Sequence, residues 1–178
     1  MKQTASHGKI KETVKNLIFD GKTELTVKQI TQEAGISRTS FYANFENLDS
    51  VLIELESEFI EDFFILYRQS VQDTACDYGM LTDFMLGNRI LLRYFFSTQA
   101  YPFFPEKFKR LSFRIQQLLQ DTHRLPKSCQ DLHSINIILQ GSLRLILDCA
   151  LQNDRDGIQN TLASCDRLIC AVCMYESA

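Results

Sequence analysis

Along the first fifty residues, apolar positions recur at helical spacing in three short runs, and each run ends where a helix cannot easily continue. Ile10, Val14, Leu17 and Ile18 share one face with lysines between them, and "DG" at 20 and 21 supplies a stop, because glycine tolerates the left-handed conformation that follows a helix. The second run, "TVKQITQEAG", opens on a capping pair, Thr26 with Gln29 three residues on, and closes at Gly35. Ser37 can cap a third helix whose Phe41 and Phe45, four apart, face inward, and the segment runs out between Asn44 and Asn47. From Leu48 the apolar positions 48, 52, 55, 59, 63 and 66 trace one stripe along a long helix. No glycine- or proline-rich linker interrupts it, so a movement downstream can be carried mechanically into the first 47 residues.

Further helices are expected at about 79 to 98, with Gly87 as a break, and at about 105 to 123, with Pro102 and Pro105 of "YPFFP" in the turn before it. The last two segments, about 130 to 152 and 156 to 175, are long and unusually apolar. In "INIILQGSLRLILDCAL" hydrophobic residues cover most of the helix circumference, which predicts burial on more than one side. The pattern as a whole is that of an all-α chain in two parts, a three-helix module over 1–47 and a helical body over 48–178.

Composition agrees with that fold. The chain has 178 residues, 45% hydrophobic and 23% charged, with only 7 Gly and 3 Pro, which disfavours disorder and turn-rich sheet proteins. The longest apolar cluster, "MLTDFMLGNRILLRYFF", is broken by Asp83, Asn88, Arg89 and Arg93, short of the ~18 unbroken apolar residues of a membrane helix. No membrane partner is expected. The six cysteines all lie beyond residue 75 and no secretion leader precedes them, so the expected setting is a reduced cytoplasm. Cys170 and Cys173 form a C-x-x-C without a second pair, and read as buried inert thiols. His7, in the tail before the first helix, His123 at a helix end and His133 are too scattered for a metal site. Phosphate-binding glycine loops, nucleophile elbows and Cys/His/Asp groupings are absent, so neither an enzyme nor a cofactor is expected.

Charge changes the picture. The total is -3, but residues 1 to 47 carry seven Lys and Arg against five Asp and Glu, a balance of +2, while the remainder stands at -5. The first module can therefore approach a polyanion. Its second and third helices, joined by "AGIS", form a helix-turn-helix pattern, a unit whose second helix can lie in the major groove of DNA. Arg38, Thr39, Ser40, Tyr42 and Asn44 are the exposed candidates on that helix, and each can donate a hydrogen bond.

"LTVKQITQEAGISRTSFYANFENLDSVLIELE" resembles the DNA-binding segment of the TetR/AcrR family of bacterial transcriptional regulators, through Ala34, Gly35, Ile36, Ser37, Arg38, Ser40, Phe41, Tyr42 and Phe45. The resemblance covers about a quarter of the chain; beyond it only length, helicity and the C-terminal apolar pair agree. It implies that Tyr42 donates to a backbone phosphate, that Arg38 and Thr39 reach bases or phosphates, and that Thr26 and Lys28 meet the backbone from the second helix. The sequence departs from the family at Asn44, where His or Tyr is common, and at Leu48, where a lysine is usual. Lys9 and Lys11 are the candidates to compensate.

A double-stranded DNA operator read by two recognition helices needs a homodimer. The candidate surface is Ile135, Ile138, Leu139, Gly141, Ser142, Leu145 and Ile146 on one C-terminal helix, with Leu162, Cys165, Leu168, Ile169 and Val172 on the other; in the family such a pair meets its twin in a four-helix bundle. Family members also commonly hold a small-molecule effector in the body. The aromatic cluster of Phe59, Phe63, Phe64, Tyr67, Phe84, Phe95, Phe96, Tyr101, Phe103, Phe104, Phe108 and Phe113 is the expected pocket, with Arg89, Arg93 and Arg114 as possible anchors for an acidic effector. The expected function is a DNA-binding repressor released by that effector. The alternative is a helical ligand-binding or adaptor protein that has lost DNA binding, for which Leu48 speaks most directly.

Overall fold

The computed structural model describes residues 5–72, 76–96, 104–122, 124–125 and 132–175, and for 104–109 and 173–175 the backbone alone. Every regular element among them is a helix: α1 (Ala5–Phe19), α2 (Val27–Ala34), α3 (Arg38–Tyr42), α4 (Leu48–Ser70), α5 (Gly79–Gly87), α6 (Arg89–Phe96), α7 (Phe104–Asp121), α8 (Leu132–Leu151) and α9 (Arg155–Tyr175). The chain divides into two compact units, 1–62 and 63–178, so the division falls inside α4 and not at its start.

In the first unit, local chemistry sets the helix ends. Thr26 is extended (φ -129°, ψ 148°) and its hydroxyl accepts from the Gln29 amide at 3.2 Å. Gly35 closes α2 in the left-handed conformation (φ 60°, ψ 41°), which turns its own amide toward the Gln32 carbonyl and that of Ile36 toward Thr31, satisfying carbonyls the helix leaves open. Ser37 caps α3 by accepting from the Ser40 amide at 3.0 Å. At the head of α4 the expectation from sequence missed a reciprocal cap. Asn47 Oδ1 accepts from the Ser50 amide at 2.9 Å while the Asn47 amide donates to the Ser50 hydroxyl at 3.3 Å. The core joins Ile10, Val14 and Ile18 of α1, Ile30 and Ala34 of α2, Phe41 and Phe45, and Val51, Leu52, Leu55 and Phe59 of α4.

α1 begins five residues earlier than its apolar run, because its first turns have partners of their own. His7 is not in a tail: its ring stacks on Phe45 with centroids 4.5 Å apart, and its Nε2 lies 3.1 Å from Glu54 Oε2. Lys11 is buried, and its ammonium donates to Glu54 at 2.9 Å and also to Glu58. Burial by itself would lower the Lys11 pKa, but the hydrogen bonds and charges of Glu58 and Glu54 outweigh it and leave it raised. For Glu54 burial acts upward, and Lys11 with His7 behind it holds the carboxyl below its ordinary value. Lys11 is thus a brace from α1 to α4, and the expectation that it serves as a spare phosphate contact fails.

In the second unit Asn88, one residue after Gly87, makes the expected break. Its amide and its side-chain Nδ2 both donate to the Phe84 carbonyl, at 3.0 and 2.9 Å, while its own carbonyl accepts from Leu92 and starts α6. Pro105 stands within the first turn of α7 rather than in a turn before it, a position where its missing N–H costs nothing. α8 and α9 pack together across a short connection in which Asn153 is left-handed (φ 55°) and Asp154 Oδ1 accepts from the Gly157 amide at 2.9 Å. The core holds Leu81, Leu91, Leu92, Phe95, Leu119, Ile135, Ile158 and Ile169. Within it Asp166 is only 6% exposed and accepts hydrogen bonds from the hydroxyls of Tyr67 and Tyr78. Burial pushes the Asp166 carboxyl above its usual range, against the opposing pull of the two hydroxyls and Arg124. Burial and the Asp166 charge push both phenols upward as well, so they remain donors.

α8, expected to be buried on more than one side, packs against α9, α7 and α6 but keeps part of its apolar surface in solvent. Ile135, Ile146, Leu147 and Ala150 lie inside, but Ile137 and Leu145 are 58% and 57% exposed. By length and composition alone α8 could cross a membrane, yet it carries an exposed Arg144–Asp148 pair at 3.2 Å one turn apart.

Two stability measurements test these assignments. Gly35→Ala forces a side chain into the left-handed region and should lower unfolding free energy by ~1 kcal/mol, whereas Gly8→Ala, inside α1 with open space around the new methyl, should raise it by about 0.5 to 1 kcal/mol. Denaturant melts giving the same sign for both would refute the turn geometry. Lys11→Met leaves Glu54 and Glu58 without their cation and should cost about 1 to 2 kcal/mol at neutral pH, between the values for exposed and buried pairs. Since the folded Glu54 pKa lies below its unfolded value of 4.5, this contribution is present above that pH and fades as pH falls through the folded pKa. The wild-type and Lys11→Met stability curves should therefore converge in acid; a gap independent of pH would rule out the brace.

Candidate nucleic-acid interface

A five-residue helix has almost no stability of its own, so the exposed face of α3 is defined by what lies beneath it. Phe41 is fully buried, with the Phe45 ring 6.1 Å away and the Tyr42 ring set edge-on at 5.4 Å. With Phe41 fixed, Arg38, Thr39 and Tyr42 share the opposite, exposed side, and Tyr42 is 57% exposed. No acidic residue occurs between Ala34 and Phe45.

Around this face the first unit adds Thr26 and Lys28, both exposed at the start of α2. Ser37 is exposed, with its oxygen engaged as the α3 cap, and Ser40 is half-buried. Lys9, exposed on α1, reaches the turn: a methyl at Gly35 would stand 3.9 Å from its ammonium nitrogen. Of the two lysines expected to offset Leu48, Lys9 is therefore the one placed beside the turn. Leu48 itself is half-buried at the head of α4. Asn44 differs from expectation: its Nδ2 donates to the Ser40 carbonyl at 2.7 Å, folding the side chain back over the end of α3. The unit thus offers three exposed cations, Lys9, Lys28 and Arg38, together with the exposed Tyr42 and Thr39 hydroxyls, a set suited to phosphate oxygens and base edges.

The expected effector aromatics are distributed differently. Phe59 belongs to the core of the first unit. In the second unit Tyr67, Phe95 and Phe96 are buried, Phe63 and Phe84 are half-buried, and Phe113 is 49% exposed. Phe63 stacks on Tyr67 with centroids 5.7 Å apart and meets Phe64 edge-on. Tyr101 and Phe103 lie outside the described residues, as do the side chains of Phe104 and Phe108. Arg114 covers the Phe64 ring at 3.9 Å, Arg89 donates to the Leu86 carbonyl at 3.0 Å, and Arg93 is exposed. A cavity of about 450 Å³ opens elsewhere, along α9 and against Tyr78 and Arg124, and none of the expected aromatics lines it. Its sequence signal is Asp166, an acid spaced helically among Leu162, Cys165, Ile169 and Cys170.

The expected dimer residues also divide. Ile135, Ile146, Leu162, Cys165 and Ile169 are buried within the unit itself and have no surface to give a partner. Leu145, Leu168 and Gly141 are exposed, and Ile138, Leu139, Ser142 and Val172 partly so. Ile137, missed from sequence, joins them on α8. Cys76, Cys149, Cys165 and Cys170 are free thiols, and no cluster able to hold a metal occurs among the described residues. Cys129, His123 and the Cys173 side chain lie outside them. Comparison with protein-family models, with curated proteins and with solved structures finds no match to this chain.

Proposed function

We propose that the chain is a cytoplasmic, dimeric, one-component transcriptional regulator of the TetR/AcrR type, a repressor that leaves a palindromic operator when a small molecule occupies its C-terminal unit. In this reading α2, the Gly35 turn and α3 are a helix-turn-helix, and α3 enters the major groove. The observation that carries it is the joint exposure of Arg38, Thr39 and Tyr42 on a helix held from below by Phe41. A solvated helix corner would not need an exposed tyrosine beside three cations and no acid along the whole turn.

Two copies would meet through the apolar strip left open on α8 and α9, Ile137, Ile138, Gly141, Leu145, Leu168 and Val172. This strip also accounts for the apolar character of α8 without a membrane. The adaptor reading keeps one specific support. With Leu48 in place of a lysine and Lys11 committed to α4, fewer phosphate contacts remain, so binding should fall less steeply with salt than a richer set of contacts would make it.

Selection from a random duplex pool should yield a two-fold symmetric site. Against that site Tyr42→Phe should weaken binding by ~1 kcal/mol on every sequence, the net value of one hydrogen bond. Arg38→Ala should cost ~1 to 3 kcal/mol and relax one operator position. Undiminished binding by the Arg38→Ala/Tyr42→Ala double variant would remove α3 as the DNA-reading helix, and failure of the wild-type chain to select any duplex would favour the adaptor. For assembly, Leu145→Glu with Leu168→Glu should turn a dimer into a folded monomer in analytical ultracentrifugation; a dimer that survives both charges must use another surface.

A further inference from the structure

The cavity along α9 has a charge pattern that selects a kind of ligand. Among the described residues two carboxylates, Asp77 and Asp166, and two guanidinium groups, Arg124 and Arg167, line it, together with the amides of Gln159 and Asn160. Its volume of about 450 Å³ is that of on the order of fifteen waters, within the ordinary range for small-molecule sites. From these residues we infer that the cavity binds a small zwitterion of the α-amino-acid type, its ammonium at Asp166 and its carboxylate at Arg167.

Asp166 provides the acceptor for the ammonium. An ionised carboxylate offers about four acceptor positions, and the hydroxyls of Tyr67 and Tyr78 occupy one on each oxygen. Because Asp166 lines the cavity while being almost wholly buried, a donor arriving from the cavity can use the remaining acceptor capacity, and an ammonium also supplies the charge that burial makes expensive. The geometry is held from several elements: Tyr67 stands on α4, Tyr78 immediately before α5, and Arg124 is tied by its Nε to the Val71 carbonyl at 2.9 Å. Arg167 is different. It is exposed on the next position of α9 and held only loosely, by a 3.0 Å bond from Nη2 to the Ser164 hydroxyl, so it can turn its fork to a carboxylate.

Charge balance decides between ligand classes. Among the described residues the lining carries two acids and two arginines, so a net cation would satisfy the acids and oppose the arginines, and a net anion would do the reverse. An apolar molecule would strip water from six polar side chains and return no hydrogen bonds. A neutral molecule with both charges meets each sign with its opposite. The inference deepens the regulatory reading, on which it rests for the ligand's role as effector, but the binding itself can be measured without DNA.

The test uses the full chain, thermal melting and titration calorimetry, with each of the twenty standard amino acids as probes at millimolar concentration. At least one should raise the melting temperature and give a saturable heat. Its amide, which lacks the carboxylate, and its deamino acid, which lacks the ammonium, should each bind at least about tenfold more weakly. Arg167→Gln and Asn160→Ala, at the cavity rim, should melt as the wild type does without ligand and lose about tenfold in affinity. Asp166→Asn should lose binding too, and the rim variants keep that result interpretable if the buried substitution unfolds the chain. Failure of every amino acid to bind overturns the inference, as do equal affinity for the amide or the deamino acid and undiminished binding by both rim variants. None of those failures bears on whether the first unit binds DNA, which is decided by the duplex selection alone.

Discussion

The seating of Phe41 is the constraint on which the rest depends. α3 is a single turn and a half of helix, and nothing in its own hydrogen bonding would keep it folded. It persists because Phe41 is withdrawn completely from water between α1, α2 and Phe45, and because the Ser37 cap and the left-handed Gly35 fix where the chain enters. Each of these devices is local, and together they leave a small polar face no rotational freedom. Arg38 and Tyr42 are placed by a side chain that points the other way.

These local devices are what made the first unit legible. Thr26, Gly35 and Ser37 act within three or four residues of themselves, so their roles follow from spacing, as do the inward Phe41 and the break after Gly87. Interactions between residues far apart in sequence were not legible. Lys11 stands 43 and 47 residues from the acids it binds, and nothing in the sequence pairs them. Read alone, a lysine between apolar neighbours in a basic module counts as a phosphate contact; in the fold it is a buried brace. Asp166 meets tyrosines 99 and 88 residues away, and the same limit hid the cavity beside it.

The C-terminal helices show a related limit. Periodicity reports that a helix face is apolar and says nothing about what covers it. Leu162, Cys165 and Ile169 looked as suitable for a partner as Leu168 does, yet the first three fill the unit's own core and the last stays in solvent. On α8 the apolar circumference suggested burial on more than one side; α9, α7 and α6 pack against it, and Ile137 and Leu145 stay in solvent. The aromatic residues went the same way: several of the rings proposed to line a cavity serve as core, where large apolar side chains contribute most. The cavity observed has a polar lining, assembled from residues far apart in sequence.

Burying an ionisable group is costly unless it finds hydrogen-bond partners, and the fold buries two such groups with partners, Lys11 and Asp166. In each case the partners include α4: Glu54 and Glu58 receive Lys11 from α1, and Tyr67 donates to Asp166 from α9. An apolar contact tolerates small slips along a helix, because dispersion is short-ranged but undirected. A charge with two fixed hydrogen-bond partners does not, since a slip of one ångström breaks the bonds and strands the charge. Polar anchors of this kind on one continuous helix turn it from a hydrophobic spacer into an element with a defined position at each anchor. Leucines at these positions would have packed as well, but they would have left the register of the helix less closely defined.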